Sequence, residues 1–146
     1  MILLSDYNEY WRGVATRVGG IGEVVSVAAD EDMSLHLSNL SNQECPVLFV
    51  VVPESHGGGD NVDSYSETCD GVVLLGDKYD PQRSPGAVGA LERLQPLVEE
   101  LKATLMGDCA TGCPVIRGIR TGSVKMAPVT NLYGDFAGWM VSFEFE

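Results

Sequence analysis

From Cys45 to Val52 the chain reads Cys-Pro-Val-Leu-Phe-Val-Val-Val, without one charged side chain, and it stops at Pro53. The run is too short and too β-branched for a helix. It also lacks the alternation of a strand with one wet face, so it predicts a central strand covered on both sides. Thr68 to Lys78, around Val72-Val73-Leu74-Leu75, predicts a second buried strand. At the C-terminus Ala137, Trp139, Val141, Phe143 and Phe145 alternate with Gly138, Met140, Ser142, Glu144 and Glu146. That period of two predicts a strand running to the end of the chain.

Helical periodicity occurs in two places. Tyr7, Trp11, Val14 and Val18 form one stripe over Ser5–Val18, with Ser5 as the expected cap and Gly19-Gly20 as the stop. Leu91, Leu94, Val98, Leu101 and Leu105 form another, started by Ser84-Pro85 and ended by Gly107. Pro96 lies inside it and is expected to kink or split the helix. Weaker patterns predict a strand over 23–28, a brief helix over 30–40 with Met33, Leu37 and Leu40 on one face, and a strand over 114–126. A turn is expected over 131–135. Glu54–Glu67, opening on His56-Gly57-Gly58-Gly59-Asp60, is expected to be a long acidic, glycine-rich loop. Only one strand–helix–strand crossover comes late in this order. The expectation is one domain over 1–146 of the α+β class. Its mostly antiparallel sheet of four to five strands is packed by one long kinked helix and an N-terminal helix.

With 146 residues the chain can bury a full core. Its longest apolar run falls well short of a membrane span. The opening Met-Ile-Leu-Leu-Ser-Asp shows no secretory leader. Net charge is −12, and between Val18 and Asp77 there is no lysine or arginine. Such a surface does not grip nucleic acid by its phosphates, although it would let DNA slide past. It fits either a solvated face or a surface meeting a basic partner or a DNA channel.

Catalytic and ligand-binding patterns find little support. Gly57-Gly58-Gly59 is not followed by Gly-Lys-Ser/Thr, so it is not a phosphate loop. His36 and His56 share no ligand spacing with Cys45, Cys69, Cys109 or Cys113. The thiols are expected to be free and structural. The many carboxylates include no pair singled out for acid–base work. Trp11 and Trp139 read as core or interface aromatics. Neither a catalytic residue, nor a metal, nor a cofactor is expected.

The succession Pro46–Pro53, a variable loop, Cys69-Asp-Gly-Val-Val-Leu-Leu-Gly-Asp77, the Leu91–Leu105 helix and the closing Gly134–Glu146 hairpin with its "GWMVSFEFE" ending resembles one family. These are the small tail-terminator and tail-completion (neck) proteins of tailed bacteriophages and prophages. The resemblance covers the chain from about residue 46. It implies a homohexameric ring in the virion, assembled in the bacterial cytoplasm, which caps the tail tube, meets the neck proteins and lets double-stranded DNA through. Glu54, Asp60, Asp63 and Glu67 would then line the lumen or reach a neighbouring subunit. Two other classes stand beside it: an acidic intracellular adaptor or regulatory domain, and a small enzyme using Cys109 or Cys113. Stoichiometry separates the first from the ring, and thiol reactivity tests the second.

Overall fold

A computed structural model describes residues 2–28, 33, 35–36, 46–132 and 134–146. Among these residues two helices, α1 (Leu4–Val18) and α2 (Ala87–Ala110), accompany six strands: β1 (Glu23–Val27), β2 (Val47–Val51), β3 (Glu54–Gly58), β4 (Ser66–Lys78), β5 (Lys125–Leu132) and β6 (Phe136–Phe145). The class is α+β. The sheet is wider than the four to five strands expected, and it is mixed. Its order is β1-β2-β4-β6-β5, with β3 also paired to β4. β1 runs parallel to β2 and every other pairing is antiparallel. A parallel pair needs a connection of a dozen or more residues, and residues 28–46 supply that length.

β2 is buried on both faces, as its unbroken apolar run predicts. Leu48 and Val50 join the main core with Tyr7, Trp11, Val14, Val73, Leu75, Leu94, Val98, Leu101, Val141, Phe143 and Phe145. Val47 and Phe49 face the other way, into a smaller core with Val27, Met33, Leu74 and Phe136. Both helices lie on the first face. The tallest aromatic stack there runs from Trp11 through Tyr7 to Phe145, whose ring lies parallel to that of Tyr7 at 5.8 Å.

Three expectations about irregular segments need correction. Glu54–Glu67 is not a loop: Glu54 to Gly58 pair with Asp70 to Ser66 as a β-hairpin. β3 continues the line of β2 along β4, after Val51, Val52 and Pro53 together oppose only Gly71 and Val72. Pro53 cannot donate a ladder hydrogen bond, and the extra residue is a bulge. The bulge reverses which residues face the helices. The strand expected over 114–126 begins only at Lys125. Before it the backbone turns at Gly112 and Gly118, both at positive φ, and forms a short 3₁₀ turn at Thr121–Ser123. Ile116 and Ile119 are still buried in the main core, so their apolar pattern marks an irregular plug rather than a strand. β5 runs through Asn131 to Leu132, so the expected 131–135 turn does not start at Asn131, and of the described residues only Gly134 and Asp135 form a turn before Phe136.

The helix ends also differ. α1 begins one residue early, with Leu3 at its cap position and no side-chain cap. α2 starts after Gly86 rather than from a Ser84 cap, and it continues past Gly107 to Ala110. Pro96 does not split it. Pro96 leaves the Glu92 carbonyl without its helical donor, and one residue earlier Leu91 C=O accepts a 3.0 Å hydrogen bond from Trp139 Nε1. Of the helix expected over 30–40, Met33, Leu35 and His36 have helical backbone, and the rest lies outside the described residues.

Candidate assembly surface

β6 reaches only as far as the Cys69–Phe145 pair, so below Cys69 strand β4 has β3 as its one strand partner among the described residues. Residues 54–69 therefore form a two-stranded arm. Two of the three consecutive glycines are accounted for by its local geometry. A Cβ on Gly57 would lie 2.4 Å from the Tyr65 ring, which crosses the arm there. At Gly59, with φ +116°, a Cβ would lie 2.2 Å from the Ser64 carbonyl oxygen. Gly59 makes the turn and Gly57 makes room for the ring.

The tip is held by hydrogen bonds despite its exposure. Asn61 Oδ1 accepts from the backbone N–H groups of Asp63 and Ser64, at 3.0 and 3.1 Å. Ser64 Oγ accepts in return from Asp60 and Asn61 N–H, completing a capping box. Val62 is left 92% exposed and Tyr65 63% exposed, the most exposed apolar side chains of the arm.

The four carboxylates singled out in the sequence do not converge. Asp60 and Asp63 sit together at the tip, exposed. Glu54 opens β3, and by register it lies on the face away from the helices. Glu67 lies on the helix face and accepts a hydrogen bond from the Ser55 hydroxyl. The acidic arm is thus a tip pair with two separated flanking groups. Val62, Tyr65 and the hollow described next escaped the sequence reading. The available signal was an isolated valine and tyrosine inside an otherwise polar segment.

At the base of the arm, on its helix face, is a hollow of about 150 Å³ lined by Ile2, Glu67, Cys69, Pro114, Val115, Arg117 and Glu146. Arg117 is exposed and has no carboxylate partner among the described residues. Arg120, by contrast, pairs with Glu144 at 3.1 Å. Burial pushes the Cys69 thiol above its ordinary range, which keeps it protonated and a poor nucleophile. Cys109 lies in the last turn of α2 rather than after the helix, half-buried, and both it and Cys113 are free thiols. No group of three metal-ligating side chains occurs among the described residues, and among them no helix is long and apolar enough to cross a membrane.

No protein-family model matches the chain, and no curated protein matches it.

Proposed function

We propose that this chain is a structural subunit that assembles with copies of itself into a ring at the head–tail junction of a tailed bacteriophage, as a tail terminator or completion protein. In this reading the ring caps the tail tube, contacts the neck proteins and passes double-stranded DNA without binding it. The protein acts in the virion, without catalysis and without a cofactor. The observation that carries the reading is the arm: a capped hairpin that leaves the sheet and presents exposed Val62 and Tyr65 beside the exposed tip carboxylates Asp60 and Asp63. Apolar groups held rigidly in solvent fit a surface meant to be covered. The net charge of −12 supports a DNA passage that repels rather than holds.

Light scattering at rising concentration, followed by negative-stain imaging, tests the proposal. The expected result is a discrete species of about six subunits with a central opening. A monomer that also ignores purified tail tubes would overturn the ring. It would leave an acidic adaptor domain, whose arm meets a basic partner, as the better account.

A further inference from the structure

We propose that the arm tip of one copy plugs the hollow at the arm base of the next, with Val62 entering the hollow and Asp60 and Asp63 meeting Arg117. The inference rests on the self-assembling reading above and names its contact. Size favours it first. The hollow holds about 150 Å³, room for one branched aliphatic side chain, and Ile2, Cys69, Pro114 and Val115 give it an apolar lining. Val62 is such a side chain, 92% exposed on a turn that the Asn61–Ser64 capping box fixes. Burying an exposed valine contributes about 1.5 kcal/mol or more, and the rigid turn removes most of the ordering cost.

Charge supplies the second argument. Asp60 and Asp63 flank Val62 and have no cation partner among the described residues, while Arg117 stands unpaired at the rim. Two further carboxylates line the hollow. Glu67 is already engaged by Ser55, and the Glu146 side chain lies over Gly118. Arg117 is the one cationic side chain among the described residues that line the hollow.

Geometry supplies the third. Tip and hollow are the two ends of one antiparallel ribbon, roughly 15 Å apart at 3.3 Å per residue, so a tip cannot fold back into its own base. The occupant must come from another molecule. Because tip and hollow are different surfaces, the contact is head-to-tail, the type that closes into a ring when the rotation per copy allows.

Two measurements test the contact. Val62→Asp, at a site too exposed to affect folding, should reduce the assembled mass to that of a monomer. Val115→Trp, which fills the hollow, should do the same. Mixing the two variants should give a heterodimer and nothing larger, since the one intact tip and the one intact hollow are used in the contact and only the disabled tip and hollow are left free. Independently of that variant's folding, Val62→Cys copies mixed with Val115→Cys copies should form an intermolecular disulfide on oxidation, since Val115 lines the hollow and is only half-buried. Peptide mapping should find it between residues 62 and 115, and neither variant alone should give it. Rings that persist unchanged in Val62→Asp, or a cross-link mapping elsewhere, would overturn the docking while sparing the ring. A wild-type chain monomeric at every concentration would overturn the docking. Whether tail tubes then recruit a ring decides the functional reading separately.

Discussion

At the residue scale, glycine decides how closely the sheet can pack. Gly71 faces Phe143 across the β4–β6 pair, and a Cβ there would lie 2.4 Å from the phenyl Cζ. At Gly138 the obstacle is backbone: a Cβ would lie 2.1 Å from the Leu75 carbonyl oxygen and 2.6 Å from Gly76 Cα. A ring can swing aside, but a paired strand cannot. Gly71→Ala is therefore expected to cost about 1–3 kcal/mol, and Gly138→Ala about 3 kcal/mol or more. Gly13 is the opposite case, exposed in mid-helix with open space at its Cβ position. Gly13→Ala should stabilise by about 0.5–1 kcal/mol, through helix propensity alone. Urea denaturation of the three variants checks the order. Equal losses at Gly71 and Gly138 would show that the β4–β6 pair yields as easily as a side chain. None of this was legible in the sequence, where Gly138 is only the small member of an alternating pair.

At the scale of elements, the two helices are tied by a polar clamp that periodicity does not reveal. Arg17 near the end of α1 pairs with Asp108 near the end of α2, and Tyr10 Oη donates to the same carboxylate at 2.9 Å. The Arg17 guanidinium holds the Asp108 carboxyl below its usual range. Burial, and then the bond to Asp108, push the Tyr10 phenol far above its own. The signs are opposite. The contribution of Asp108 is present above the ordinary carboxyl pKa and is lost as pH falls below about 4. That of Tyr10 is complete below the ordinary phenol pKa and is lost as pH rises above about 10. Asp108→Asn should lower stability by about 1 kcal/mol at neutral pH and flatten the acid limb, and Tyr10→Phe should flatten the alkaline limb. Stability measured against pH for both variants checks this, and an unchanged acid limb in Asp108→Asn would remove the clamp. The helices, β2, β4 and β6 were legible because each repeats an apolar period over its length. β3 was not. Glu-Ser-His-Gly-Gly has neither alternation nor β-propensity, and it is a strand only because β4 extends far enough to pair it. The Ile116 and Ile119 plug misled for the converse reason, since apolar spacing there serves burial without a ladder.

At the scale of the whole molecule, charge and shape pull in opposite directions, and the balance can be measured. Every copy carries −12, so any assembly brings like charges together. In the proposed contact, the attraction between tip and rim would rest on one arginine and two carboxylates brought together around a valine whose burial does not depend on ion pairing. The repulsion is summed over surfaces many ångströms apart, where screening acts fully. The Debye length falls from about 30 Å at 0.01 M salt to about 10 Å at 0.1 M, so the long-range term weakens first. Association should therefore strengthen as salt rises across this range, the reverse of a contact made mainly by exposed ion pairs. Sedimentation equilibrium at several salt concentrations reads the sign directly. Strengthening puts the apolar plug ahead of the ion pairs, and Val62→Asp should then abolish the dependence along with the assembly. Weakening would mean that Arg117 and its partners carry the contact. Arg117→Glu should then be more damaging than any change at Val62.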